Sequence, residues 1–442
     1  MKSSTHVGII GGGVAGLAAA AKLAEKGIET TIFEAGSQLG GRARNVAVEF
    51  NSQVTQLDNG QHILVGAYQQ TLKLLELAGI NEKKAFMRLP LTLDIKSLNH
   101  QSSFKLSTPR YLPFPINQLF GFLFCKGLIL KDRFSVIKFM LNIKQSGYRL
   151  STDIPLKEYL TQKKQSESVI ALLWEPLCLA ALNTPLHLAS SRVFLNILKD
   201  TFSHKKSNSD FLLPKLGLSQ LFAQPISRYI LEKHGHVLTN HRVSDVKASE
   251  KGFRIKSKNK NKTFEFSHVI VAIASKRLKN IVAGLPALSN ITAITEHYRY
   301  QPIYSVYLQY PSHIKLASPM IGLSGTISQW VFDRGILCGQ QGLLAVVISA
   351  EGKHQKLTHD ALALKVAHEL HQVFPILGKP LWHQVIAEKR ATFSCEVNLA
   401  RPANKTRQPN LFIAGDYTYQ DYPSTIEGAV RSGIKAANMV IN

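Results

Sequence analysis

The chain has 442 residues, 45% of them hydrophobic and 19% charged, which excludes a disordered, collagen-like or disulfide-scaffold protein. That length is too great for one compact core and points to two domains. Lys and Arg total 53 against 29 Asp and Glu, a formal charge of +24, and a field that positive attracts an anionic membrane face or nucleic acid, unless it is simply a solvated basic surface. No helix-turn-helix, finger or RNA-binding pattern supports nucleic acid. The cysteines, Cys125, Cys178, Cys338 and Cys395, form no CxxC pair; the expectation is no metal site and buried free thiols in a reducing cytosol.

The run Val7 to Ala21 is apolar enough to resemble a signal-peptide core, but its glycines fit a strand-turn-helix better. Residues 6–10 read as a short buried strand, 14–26 as a helix closed by Gly27, and 28–34 as a second strand. Strand, helix and strand in that order make a βαβ unit. An amphipathic helix follows at 67–79, then paired strands over 86–106. Pro109, Pro113 and Pro115 punctuate a loop before an apolar run at 116–130 and a helical region to about residue 200. Lys199 to Lys206 reads as a polar connector. Strand patterns return over 236–274, 303–309 and 343–349; 359–374 reads as a helix, 411–414 as a buried strand and 424–440 as a helix. No stretch of about 20 unbroken apolar residues predicts a spanning helix.

Gly11-Gly12-Gly13-Val14-Ala15-Gly16 satisfies G-x-G-x-x-G between a strand and a helix. Gly11 permits the tight turn, Gly13 lets backbone amides approach a pyrophosphate, and Gly16 lets helix pack on sheet. Ala15 lies inside the same cofactor loop. The helix N-terminus offers free N–H groups to an anion. Glu34 ends the second strand where an acid binds ribose hydroxyls, which suits NAD or FAD equally.

Leu39-Gly40-Gly41-Arg42 resembles the flavin amine oxidase and carotenoid desaturase superfamily, and this resemblance selects FAD. It implies that Gly41 brings the chain close to the cofactor and that Arg42 contacts its phosphate-ribityl region; a surface cation is the plainer reading of Arg42. Gln38 stands where the family often has Arg. Val237, Val243 and Val246 resemble the strand whose backbone meets the adenine at Val243, though an ordinary strand has the same spacing. Ala414-Gly415-Asp416 and Ile426-Glu427-Gly428-Ala429 resemble the family's closing pattern. There Gly415 and Asp416 bind the ribityl chain, and the helix from Ile426 points at the flavin pyrimidine, where its dipole stabilises an anionic reduced ring.

Asp58 to Tyr68 resembles the D-x-G-x-H-x-x-x-G-A-Y segment of plant-type phytoene desaturases, which implies that Gly60 and Gln61 also line the cofactor. Pro423-Ser424-Thr425-Ile426 lacks the aromatic that amine oxidases present there. Leu173 to Pro185 and Ser209 to Pro214 are similar to the bacterial hydroxysqualene dehydroxylases, the squalene-associated FAD-dependent desaturase group, although Trp174 to Pro185 would also serve as a plain core helix and its stop.

The resemblance implies an α/β (α+β) fold. Its Rossmann-like FAD-binding domain would be discontinuous (residues 1–90, 212–290 and 395–442), and a mixed sheet-and-helix substrate domain (91–211 and 291–394) would be inserted into it. It implies reductive removal of an allylic hydroxyl from hydroxysqualene, with hydride from reduced FAD. An oxidative phytoene-type desaturase, an amine oxidase and a non-catalytic flavoprotein are the alternatives. His62 is the candidate general acid and Asp58 its orienting partner or a backbone ligand; a structural histidine bonded to a carbonyl is the alternative. No second G-x-G-x-x-G offers a nicotinamide domain, so a reduced-nicotinamide donor or partner reductase would supply electrons. A C30 hydrocarbon substrate and the basic flanks of 116–130 suggest a peripheral cytoplasmic protein on the inner face of an anionic membrane; a core helix is the alternative for 116–130.

Overall fold

The computed structural model describes residues 5–50, 53–98, 103–250, 252–258, 262–282 and 285–442. A parallel sheet orders His236–Leu238, Glu29–Phe33, His6–Ile10, His268–Val271 and Leu411–Ile413. His6–Ile10, His268–Val271 and Leu411–Ile413 are near-continuous apolar runs because both faces of the sheet are covered. One face carries the first helix, Val14–Glu25, which buries ten of its twelve residues. It can be apolar all round because the C-terminal helix, Ile426–Ile441, lies against it; a Cβ at Gly433 would come within 2.2 Å of the Ala15 carbonyl oxygen. The other face meets a small antiparallel sheet of Val243–Ser249, Gly252–Ser257 and Thr263–Phe266. The two sheets approach so closely that a Cβ at Gly8 would lie 2.8 Å from Ile255 and Phe266.

A second large sheet has seven strands in the order Trp382–Phe393, Tyr300–Gln309, Leu343–Ser349, Trp330–Asp333, Met320–Ser324, Thr92–Ser97 and Phe104–Ser107. The helix His359–Val373 buries Leu362, Val366 and Leu370 against it. The fold is therefore α/β, a Rossmann-like layer joined to a mixed sheet-and-helix layer.

Three elements differ from the sequence reading. Within 86–106, Thr92–Ser97 pairs with Phe104–Ser107, but Phe86–Leu89 pairs with Phe211–Pro214 instead. Pro90, with no amide to give, separates the two strands; residues 99–102 lie outside the described residues. The segment read as a connector from Lys199 begins inside a helix, Ser191–Phe202. The strand Trp382–Phe393 has no counterpart in the sequence pattern: among the described residues it pairs only with Tyr300–Gln309, so it is an edge that tolerates Glu388, Lys389 and Arg390. Trp174 is a core residue. It donates its indole N–H to Gln165 at 3.0 Å and meets Phe139 and Phe194 edge-on.

Candidate functional site

The site lies where the first strand hands over to the first helix. Gly11 turns the chain at φ +110°, a left-handed conformation that favours glycine, and a Cβ there would meet the Ala272 carbonyl oxygen at 2.5 Å. A Cβ on Gly16 would lie 2.0 Å from the Gly11 oxygen, so this position sets how closely helix and turn pack. Gly13 is different. Its backbone is ordinary, and a Cβ would meet nothing nearer than Gly41 Cα at 3.9 Å. Gly40 donates its N–H to Gly12 at 2.8 Å, so the two glycine loops lie side by side with bare backbone between them. The first helix has no side-chain N-cap, leaving its leading amides for a ligand.

Glu34 is fixed by two amides, Gly12 N–H at 2.9 Å and Gly36 N–H at 2.7 Å. An ionised carboxylate accepts about four hydrogen bonds, so lone pairs remain for hydroxyls. His241 donates its N–H to the Glu34 carbonyl at 2.8 Å, which brings the chain leading to Val243 alongside this carboxylate. Ser37, Gln38 and Leu39 form one wall of a cavity of 600 Å³ that reaches Lys215 and Arg334.

At the other end of the site, Arg42 pairs with Asp416 at 2.8 Å. Its guanidinium also reaches the Ala391 carbonyl and the Ser424 hydroxyl, and Ser424 in turn bonds Asp416. The Arg42 side chain is 42% exposed and that of Asp416 9%. The structure thus joins Gly-Gly-Arg near the start of the chain to Gly-Asp near its end. Gly415 is held by its N–H to Ser432 Oγ at 2.9 Å. Glu427 is fully buried: it accepts from Thr71 N–H at 2.9 Å and from the Thr71 hydroxyl at 2.6 Å, while Arg431 donates to it at 2.7 Å. It therefore anchors the N-terminus of helix Gln69–Leu77 with an acid, and so ties that helix to Ile426 at the start of the C-terminal helix.

Between these ends runs the segment from Asp58. His62 is half-buried and its Nδ1 faces the Gly60 carbonyl at 2.6 Å. Facing an acceptor, Nδ1 must carry a proton, so neutral His62 has only an acceptor at Nε2. Burial lowers the His62 pKa from its usual 6.5; the Gly60 carbonyl and Asp58 oppose that shift and Arg42 adds to it. A Cβ at Gly60 would have only His62 and Ser305 nearby, at 3.7 and 3.8 Å, so backbone is open there as well.

Asp58 does not orient His62. It accepts from Asn45 Nδ2 at 2.9 Å, Leu218 N–H at 2.8 Å and Arg334 at 3.0 Å. Of the two roles expected of it, backbone ligand is the one its geometry serves. Gln61 turns the same way and accepts from Arg334 at 2.7 Å. The sequence offered no signal for Arg334, a buried cation 276 residues from its carboxylate. Cys338, nearby, is half-buried rather than buried; the other three cysteines are buried, and all four are free.

The residues fit a flavin dinucleotide. A bare-backbone slot at Gly13 and Gly41, a fixed carboxylate at Glu34 and a half-open guanidinium at Arg42 match pyrophosphate and ribose. An aromatic cage for an amine is not built from Tyr422. Its hydroxyl goes to Asp200, and the Arg431 guanidinium covers its ring at 4.4 Å. Among the described residues no cluster could hold a metal ion, and no helix is long and apolar enough to cross a membrane.

Residues 14–441 match the family described as flavin containing amine oxidoreductase. A hydroxysqualene dehydroxylase of Zymomonas mobilis is 26% identical over 100% of this chain and 99% of its own length. A zeta-carotene desaturase of Synechocystis is 22% identical over 99% and 97%. An oxidoreductase from Methanosarcina mazei superposes with a TM-score of 0.74 at 14% identity, covering 98% of this chain and 100% of that one.

Proposed function

The chain belongs to the flavin containing amine oxidoreductase family and is an FAD-dependent oxidoreductase, and from that premise we propose that it converts hydroxysqualene to squalene by reductive dehydroxylation. The observation that carries the proposal is the end-to-end similarity to a hydroxysqualene dehydroxylase, joined to a Tyr422 ring already engaged by Arg431 and Asp200. Gly13, Ala15, Gly16, Glu34, Gly41, Arg42, Gly60, Gln61, Val243, Gly415, Asp416 and Ile426 are the proposed cofactor contacts, with Gly11 shaping the turn. When bound and reduced, FAD supplies the hydride that replaces the departing oxygen.

The chain must add one proton, because the hydroxyl leaves as water: R–OH plus hydride plus H⁺ gives R–H plus H₂O. His62 is the proposed donor, from Nε2, while Gly60 holds Nδ1 and fixes the ring. Only the imidazolium has a proton at Nε2 to give, so the depressed pKa places the working form on the acid side of neutrality. The reaction requires that water which would recapture an allylic cation be kept from the reacting carbon. Electrons for FAD come from a reduced nicotinamide or a partner reductase.

The test is anaerobic. Photoreduced holoenzyme mixed with hydroxysqualene is expected to reoxidise, with squalene in the lipid extract. Flavin that stays reduced, with no squalene formed, would overturn the proposal. The similarity to a zeta-carotene desaturase favours a second reading, oxidation of a polyene; on that reading the oxidised enzyme bleaches with phytoene-like substrates instead.

A further inference from the structure

Helix Ile116–Leu123 turns most of its large apolar side chains outward. It buries Asn117 and Gln118 beside Gly121 and Phe122, while Ile116, Leu119, Phe120 and the following Phe124 are exposed. Neither side-chain polar atom of Asn117 has a hydrogen-bond partner within the protein, and neither has the Gln118 amide nitrogen. A helix bathed in water does the reverse, since an unpaired buried amide costs on the order of 1–3 kcal/mol. The next helix, Leu130–Gln145, exposes Leu130, Phe134 and Leu141 opposite its buried Val136, Phe139 and Ile143. Fifteen large hydrophobic residues are exposed among the described residues, and nine lie between Tyr111 and Leu141, so this is a patch rather than scattered single residues.

The tip of the patch is held out by its own hydrogen bonds. In the loop between the helices Phe124 is 65% exposed and Ile129 66%, while Cys125 and Leu128 point inward. Arg133 donates to the Leu123 carbonyl at 3.1 Å and the Leu128 carbonyl at 2.9 Å. Lys126 and Lys105 exchange backbone hydrogen bonds. Gly127 takes φ +88°, and a Cβ there would strike the Ser103 oxygen at 2.2 Å. Both apolar side chains are therefore presented by a braced turn.

Charge identifies the occupant. From residue 103 to residue 150 the chain has eight Lys or Arg and one acid, Asp132, and Asp132 is buried. Lys105, Arg110, Lys126, Lys131 and Lys138 are all exposed around the apolar residues. A second copy would bring the same cations face to face with these, whereas an anionic bilayer offers hydrocarbon for the phenyl rings and phosphates for the lysines. We propose that this helix pair docks on an anionic lipid bilayer, with Phe120, Phe124, Ile129 and Phe134 entering the acyl boundary and the lysines among the headgroups. The surface stands apart from the proposed reaction and would serve any enzyme that draws a substrate from the bilayer.

The test is flotation of the FAD-loaded protein with phosphatidylcholine vesicles, with or without phosphatidylglycerol. The protein is expected to float with the anionic vesicles and to partition far less to the neutral ones. The double variant Phe124→Ser, Ile129→Ser should lose about tenfold in partitioning, with flavin absorbance, melting temperature and turnover of detergent-dispersed substrate unchanged. Lys131→Gln with Lys138→Gln should lower binding to anionic vesicles and flatten its salt dependence. A wild-type protein that stays unbound with both vesicles overturns the proposal, as does a serine variant that floats as well as wild type. Concentration-dependent dimerisation that the serine variant abolishes, without vesicle binding, would assign the patch to a second copy.

Discussion

Two Arg–Asp pairs stand at opposite sides of the same site and do different work. Arg42–Asp416 is 2.8 Å long and its guanidinium is nearly half exposed. Arg334–Asp58 is 3.0 Å long, with side chains only 2% and 3% exposed. The first arginine keeps part of its side chain open, so it can exchange part of its bonding for a ligand phosphate. The second is almost wholly buried: its Nε donates to Gln340 and its Nη1 to Asp58 and Gln61, and the Tyr307 ring lies 5.9 Å from it. The same kind of ion pair is thus a proposed binding device where it is half exposed and a structural clamp where it is buried.

The clamp should show the larger effect. Arg334→Met removes one partner of a desolvated pair and is expected to cost about 3–5 kcal/mol of unfolding free energy. Chemical denaturation measures it. Flavin content per folded molecule should fall less than in an Arg42 variant, because Arg334 reaches the proposed cofactor contacts only through the Gln61 side chain. Replacing the pair with apolar residues, Asp58→Leu with Arg334→Met, should recover part of the loss, since neither charge is then stranded. A variant as stable as wild type but devoid of flavin would invert the two roles.

Arg42→Met should do the opposite. A half-exposed pair contributes at most about 1 kcal/mol to stability, and Asp416 retains the Ser424 hydroxyl. Flavin affinity is expected to fall roughly tenfold, the scale of a lost charge-assisted hydrogen bond. Fluorescence titration of the apoprotein with FAD reads this directly. Unchanged affinity would make Arg42 the surface cation that its exposure also allows.

The contrast explains what could be read beforehand. Gly11 to Gly16, Glu34 and Gly40 to Arg42 are contiguous, and each is constrained by local geometry: a positive φ, a close approach or a helix start. Such constraints write themselves into short strings. Arg334 is an ordinary helix residue in sequence, and only the return of a strand 276 residues away brings it to Asp58. The edge strand Trp382–Phe393 was hidden for a related reason, because one unpaired side lets charged residues break the alternation. The run 116–130 was legible as apolar but not as inward or outward. A helix's hydrophobic residues reveal their direction only when their packing partners, or the lack of them, are placed.

In stability His62 gives the smallest effect, and it tests whether the acid at the centre of the site is assigned correctly. Its folded pKa lies below 6.5, chiefly through burial. The imidazolium, which alone can donate from Nε2, forms only as pH falls through that lowered pKa. Turnover of reduced holoenzyme should therefore rise toward acid, with its limb below 6.5. The linkage has the opposite sign for stability. The unfolded chain binds the proton more readily than the folded one, so stability is greatest above 6.5 and declines as pH falls through the folded pKa. His62→Gln keeps a side chain able to donate to the Gly60 carbonyl but has no titrating proton. It should flatten the acid limb of kcat/KM and remove the matching slope in stability. If the slope in stability disappears while the kinetic limb remains, His62 is a buried structural histidine and the proton comes from another group.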